Sequence, residues 1–296
     1  MRYPPLIPLV ILALLSISAE AEVKVTVGPT GHLVVPVRVN GKGPFPFIFD
    51  TGADESAVYS WFASEQKLAR GHASQLSGGT GDADETTTRI DTLALDRSAI
   101  HGIDADTIPD RVDGVKIAGV VGADLLEGHL AVLDTDCGTL SLLPRTTKPT
   151  SIAGPDATSI SAGAIKGGKQ LTLPVTINGV AGVATLDTGA SSTILNNAFA
   201  RAAGIDPTSG AFQEGRPARG ATQTPIPSRV GPIGTVNFAG LSRQHVVARI
   251  IDLPVFDDEG YTGGHALNIG VDLLQHTRIS IDYESRQVWI APSRCK

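Results

Sequence analysis

Residues 33–53 read LVVPVRVNGKGPFPFIFDTGA, and residues 171–190 read LTLPVTINGVAGVATLDTGA. The two stretches are one pattern written twice. Pro36 matches Pro174, Asn40 matches Asn178, and Asp50 matches Asp187, with one residue fewer in the second copy's turn. Each copy opens on an apolar, β-branched run that stops at Asn-Gly, a dipeptide suited to the two positive φ angles of a tight hairpin turn. A return strand follows, residues 45–49 or 183–186, and each ends at Asp-Thr-Gly-Ala. A short helical pattern comes next. In the first half Trp61, Phe62 and Leu68 lead to a stop at Gly71. In the second, Asn196 is positioned to cap a helix that stops at Gly204. The correspondence returns further on, where Val121-Gly122-Ala123-Asp124-Leu125-Leu126 matches Ile269-Gly270-Val271-Asp272-Leu273-Leu274. Each half then closes with a hairpin, with Asp136-Cys137-Gly138 and Glu284-Ser285-Arg286 in the turns.

The size and composition fit this duplication. A chain of 296 residues admits about two domains at roughly 150 residues each. Its 33 glycines and 19 prolines favour short elements joined by turns over long helices. The net charge of −6 argues against a nucleic-acid binder. The hydrophobic share of 42% excludes global disorder. The expected layout is a signal peptide at 1–21, a first lobe at 22–145, a linker at 146–169 rich in Thr, Ser, Gly, Ala and Pro, and a second lobe at 170–296. The signal is read from Arg2, the apolar run at 6–17 and the cleavage pattern Ala19-Glu20-Ala21. That run is shorter than the ~20 residues a membrane span needs. The mature chain is therefore expected to be exported, periplasmic or extracellular, and free of the membrane after cleavage. In that oxidising setting Cys137 and Cys295 form a candidate disulfide, the alternative being two buried thiols.

The strand–DTGA–helix pattern, followed by apolar-apolar-Gly, resembles the aspartic proteases, most closely the retroviral (retropepsin-like) type and its bacterial relatives. Phe49-Asp50-Thr51-Gly52-Ala53-Asp54 is especially similar to the retroviral motif. The likeness covers nearly all of the mature chain, twice over. Where retroviral enzymes pair one lobe with a copy of itself, this chain resembles two such lobes joined end to end. The resemblance implies a mainly β fold: two retropepsin-like β-barrel lobes with short helices, related by the internal repeat. It also implies an aspartic endopeptidase working as a monomer on an extended peptide or protein substrate. A flexible linker and the high effective concentration of joined lobes favour pairing within one chain.

The chemistry accounts for two copies of the motif. Peptide hydrolysis without a metal or a covalent nucleophile needs a base for water and an acid for the leaving amine. Two carboxyls a few Å apart cannot both ionise easily, so they share one proton. Asp50 and Asp187 are the expected catalytic pair, titrating as a unit. By resemblance, Thr51 and Thr188 bond across the interface. Gly52 and Gly189 let the backbone pass close and offer amide donors. Ala53 and Ala190 stand where pepsin-like enzymes carry a hydroxyl that favours the ionised carboxylate. Their lack of a donor implies higher dyad pKa values and a less acidic optimum than pepsin's. Val120-Val121-Gly122 and Asn268-Ile269-Gly270 resemble the strand packed under each loop, with Asn268 departing from the usual apolar residue. A flap tip is expected at Ser77-Gly78-Gly79-Thr80-Gly81, with Gly220-Ala221-Thr222 as its counterpart. Asp54 and Ser191 are expected to help hold the substrate backbone.

Other chemistry is not indicated. The histidines lack metal-ligand spacing, Ser64-x-x-Lys67 lacks its companion motifs, and the acidic runs at 82–85 and 257–259 lack a calcium-loop arrangement. No cofactor and no metal are expected. The alternative function is a non-catalytic peptide- or protein-binding module on the same fold.

Overall fold

The computed structural model describes residues 22–148, 152–154, 157–164, 168–258, 260–261 and 263–295. The expected export signal at 1–21 lies outside these residues. The chain is mainly β, as its turn-rich sequence implies, and among the described residues its strands form three sheets.

Each half builds a closed ring of six strands. In the first half Leu33–Val39 pairs with Lys42–Phe49, and the ring continues through Gly119–Val121, Ala57–Tyr59, Ser98–Ile108 and Gly81–Leu95. It closes where Val39 pairs with Leu93. In the second half Leu171–Ile177 and Val180–Leu186 are followed by Ala266–Ile269, Ile194–Leu195, Leu241–Ile250 and Arg229–Phe238. Closure there is Val175 against Phe238. These two rings are the expected retropepsin-like barrels.

The opening hairpins follow from local chemistry. Asn40 and Gly41 have φ of 49° and 74°, and Asn178 and Gly179 have 50° and 86°. Asparagine and glycine take these left-handed angles most readily. In each first strand alternate side chains turn inward: Leu33, Val35, Val37 and Val39, then Leu171, Leu173, Val175 and Ile177. Burying such a side chain stabilises by about 1.5–3 kcal/mol, so a one-residue slip in register would turn the whole set to solvent.

The helices differ from expectation at one end. Asn197–Ala202 is capped as read, with Asn196 Oδ1 accepting from Phe199 N at 2.9 Å and Gly204 following at φ 73°. The first helix, Ser60–Glu65, stops earlier than expected. Lys67 takes the left-handed position at φ 55°, and Gly71 already lies in strand Ala69–Gly78. A Cβ at Gly71 would come within 2.2 Å of Thr87 Oγ1, so the glycine allows close passage over Thr87 at an irregularity of the hairpin, between Arg70 and Ala73, and does not end the helix.

The third sheet is shared. Its order is Val23–Lys24, Thr139–Pro144, His129–Asp134, Thr277–Asp282, Gln287–Pro292 and Thr158–Ser161. The halves meet in its middle, where Leu133 pairs with Ile279 and Asp134 with Arg278. Cys137 and Cys295 are joined by a disulfide, with their Cα atoms 5.1 Å apart. Asp134, buried beside it, accepts from Cys137 N, Ser293 Oγ and Arg294 N. The stretch read as an aperiodic linker is partly strand. Thr158–Ser161 adds to the edge of the shared sheet, and Gly163–Ala164 pairs with Leu171 and Thr172. Pairing with an existing edge orders this polar segment, which has no apolar face to announce it.

Candidate functional site

Parallel strand pairs set the base of the site. Phe49 lies beside Val121 and Leu186 beside Ile269. At the end of each pair the chain turns, and Asp50 N donates to Val121 O at 3.0 Å while Asp187 N donates to Ile269 O at 3.1 Å. The two Asp-Thr-Gly loops thereby face each other between the lobes.

Their threonines cross the boundary. Thr51 Oγ1 donates to Leu186 O at 2.7 Å and accepts from Thr188 N at 3.1 Å. Thr188 Oγ1 donates to Phe49 O at 2.7 Å and accepts from Thr51 N at 3.0 Å. Both threonines are buried. Removing one hydroxyl strands a buried carbonyl and a buried amide, which costs about 1–3 kcal/mol per unsatisfied group. Thr51→Val and Thr188→Val are therefore each expected to lower the urea midpoint. The double variant should lose less than the sum of the two, because the four bonds act together. Strict additivity would mean the two hydroxyls work independently.

The glycines hold the carboxyls together. A Cβ on Gly189 would sit 2.1 Å from Asp50 Cγ, and one on Gly52 would sit 2.7 Å from Asp187 Cγ. Each glycine thus leaves room for the opposite aspartate. Gly52 N donates to Asp50 Oδ1 at 2.8 Å, and Ala190 N to Asp187 Oδ1 at 3.0 Å. Burial, and next the charge of Asp187, push Asp50 well above the ordinary carboxyl range. Burial also raises Asp187, with a hydrogen bond from Asn268 as the largest opposing effect.

An outer layer explains the second repeated landmark. Asp124 accepts from Ser56 N at 3.0 Å and Ser56 Oγ at 2.7 Å, and Gly122 N donates back to Ser56 Oγ. Asp272 does the same with Thr193 N and Oγ1, and Gly270 N donates to Thr193 Oγ1. A Cβ on Gly122 would reach 2.6 Å from the Glu55 backbone, and one on Gly270 would reach 2.5 Å from that of Ser192. The repeated Gly-x-Asp therefore clamps the residues just after each Asp-Thr-Gly. The repetition was the available signal for this role.

Three neighbours of the pair were not singled out in the sequence for what they do. Asn268 Nδ2 donates to Asp187 Oδ2 at 2.5 Å. Tyr283, at the end of a shared-sheet strand, is buried with its hydroxyl 3.5 Å from Thr51 O. Burial and the charges of Asp50, Asp54 and Asp187 raise its pKa strongly, so it stays neutral. Tyr59 is buried on the Asp50 side and is also raised, chiefly by burial. Beyond it, Arg111 pairs with Asp113 and reaches Thr30 Oγ1, which bonds His32 Nδ1 at 2.7 Å. Burial and then Arg111 push His32 down to about 4.

The expected flap and substrate-contact residues lie around this base. Ala69–Gly78 and Gly81–Leu95 form a long hairpin with Gly78 opposite Gly81, so Gly79 and Thr80 are its tip. Gly81 has φ 106°. Gly220-Ala221-Thr222 tips a more loosely paired excursion, in which Gln213 and Glu214 pair with Val230 and Arg229, Gly215 N donates to Ser228 O, and Ala218 bridges to Ile226. Pro217, Pro225 and Pro227 flank that tip, and proline cannot donate to a ladder. The two tips nonetheless meet. Thr80 Oγ1 lies 3.1 Å from Thr222 Oγ1 and accepts from Gly220 N at 3.1 Å. Asp54 Oδ1 accepts from Lys169 N at 2.7 Å, and Gln170 Nε2 donates to Gly52 O at 2.6 Å. Ser191 faces Gly31, whose Cβ would stand 3.2 Å from its own. Both residues after the DTGA motifs thus lie against the chain leading into the opposite lobe's first strand, and Asp54 is bonded to it.

A model of the aspartyl protease family matches residues 35–125 and again 173–273. The chain belongs to this family. Each match spans one DTGA loop and the Gly-x-Asp clamp of the same half. Comparison with curated proteins gives no match.

Proposed function

We propose that this aspartyl protease family member is an endopeptidase that hydrolyses peptide bonds with Asp50 and Asp187 as its catalytic pair. The observation that carries the reading is the reciprocal grip. Each loop's threonine bonds into the other lobe, and each loop's glycine leaves space for the other's carboxyl. One carboxylate takes a proton from water as the water oxygen bonds to the scissile carbonyl carbon, and the other carboxyl gives its proton to the carbonyl oxygen. When the C–N bond breaks, the first returns its proton to nitrogen and the second recovers one from a hydroxyl of the tetrahedral intermediate.

A substrate lies extended between the lobes, under the Gly79–Thr80 tip and the Gly220 loop, both of which open to admit it. Asp54 and Ser191 flank its backbone. One chain supplies both carboxyls, which supports a monomer. The apolar run after Arg2 and the Cys137–Cys295 disulfide support work in an exported, oxidising setting.

Mature protein incubated with a peptide library from about pH 3 to about pH 8 is expected to cut internal bonds. Its optimum should be less acidic than a pepsin-type one, because Ala53 and Ala190 provide no hydroxyl to favour ionisation. A rate profile peaking at about pH 2 would refute the pH expectation. Absence of cleavage throughout would refute the peptidase reading.

A further inference from the structure

The two halves differ at one position beside the pair. Val120 and Asn268 occupy the same place in the repeat, each the residue two before the clamp glycine. Val120 pairs in parallel with Ile48, and Asn268 with Thr185. Valine offers Asp50 no side-chain donor. Asn268 Nδ2 donates to Asp187 Oδ2 at 2.5 Å, while its own Oδ1 is buried without a partner. No second hydrogen bond therefore orients the amide, and the carboxylate does so. Presented this way, the amide complements a charged Asp187. Turned over, its carbonyl would face a carboxylate oxygen and repel it.

We infer that Asn268 is a positioning residue that holds the negative charge of the proton-sharing pair on Asp187 and leaves the proton on Asp50. This rests on the peptidase reading and deepens it. Asp187 then takes the proton from water, and Asp50 protonates the carbonyl oxygen. The other groups facing Asp187 do not supply this bias. Ala190 N donates to Asp187 as Gly52 N does to Asp50, so that contribution is matched. Tyr283 is neutral, and its hydroxyl points to Thr51 O and not to Asp187. Asp54 is engaged by Lys169 N, and Asp272 by Thr193. Tyr59, with the Arg111–Asp113 pair behind it, stands on the Asp50 side and is neutral.

The sign of the effect is specific. The Asn268 bond is present when the pair carries one proton and when it carries none, because Asp187 is charged in both. It weakens only when both carboxyls are protonated. Losing the bond should therefore raise the acid limb of the kcat/KM profile and leave the alkaline limb in place. For Asn268→Val the acid limb is expected to move up by about one pH unit, the scale of one charge-assisted hydrogen bond. The exchanged variant Asn268→Val with Val120→Asn should bring that limb back down, now with Asp50 as the charged partner.

A second readout does not need turnover. Carbon-13 NMR of aspartate-labelled protein follows each carboxyl directly. In the wild type Asp187 should ionise before Asp50, and in the exchanged variant the order should reverse. Val120→Asn alone, which leaves Asn268 intact, should narrow the gap between the two and serves if Asn268→Val does not fold. An unchanged order in the exchanged variant, an unchanged gap in Val120→Asn, or an unmoved acid limb in Asn268→Val overturns the inference. If no peptide is cut by the wild type, the peptidase reading fails on its own, and the carboxyl titration still decides the role of Asn268.

Discussion

Asp50→Asn and Asp187→Asn are each expected to lower kcat/KM for peptide cleavage by about 10³-fold or more, since on the proposed mechanism either change removes half of an acid–base pair that works as a unit. Equal cleavage by the wild type and both variants would end the aspartic mechanism. The same change is expected to make the protein more stable at neutral pH. The Asp50 carboxyl is raised in the folded protein above its ordinary value of 3.8 by burial and by Asp187. Between that value and the raised one, the folded chain holds a proton that the unfolded chain has released. Stability is therefore full below the ordinary carboxyl range and falls as pH rises through the folded value. Asparagine has no such dependence. Asp50→Asn should raise the urea midpoint at about pH 7 and match the wild type at about pH 3.

His32 runs the other way. It is held down at about 4 from 6.5, so it lowers stability as pH falls through that window. It is present in both proteins and cancels in the comparison. A gain of equal size at both pH values would show that the carboxyl's charge is not the cause.

Removing the disulfide is the second large effect. Cys137 and Cys295 are 158 positions apart in sequence. In the chain-entropy account, a cross-link over a loop that long restricts the unfolded chain by about 5 kcal/mol, an upper figure for such bonds. Cys137→Ala with Cys295→Ala should reduce the stability extrapolated from urea unfolding by several kcal/mol at most, on that scale. Peptide cleavage under folding conditions should persist, because the threonine bonds and the shared sheet still join the lobes. An unchanged midpoint would mean that the final strand stays docked in the unfolded ensemble without the bond.

Much of this architecture is written in contiguous residues. The Asn-Gly turns, the inward alternation of Leu33 to Val39 and the Asn196 cap each depend on chemistry within a few positions, and each is where the sequence puts it. The duplicated DTGA motif carried the pairing of the lobes because one copy makes no sense without the other. The misreadings have a different origin. Gly71 looks like a helix stop until its neighbour Thr87, on the next strand, is known. The Thr158–Ser161 strand exists only because Gln287–Pro292 offers it an edge. Asn268 reads only as a departure from the usual apolar residue, and its meaning depends on Asp187, 81 positions away. Contacts of this kind are fixed by ring closure and sheet pairing, and no local period announces them.

The shared sheet also constrains the order in which the protein can be made. The first lobe's ring is complete by Val121, and its hairpin from His129–Asp134 to Thr139–Pro144 follows at once. Strand His129–Asp134 then has a bare side, since its partner Thr277–Asp282 follows the whole second ring in sequence. Through the synthesis of the whole second lobe, that strand presents unpaired amides and carbonyls along an apolar sequence. An open edge of this kind invites pairing with other chains. The nascent protein is thus most vulnerable to misassembly while it is half made, and the closing strands cap the edge as they join the lobes.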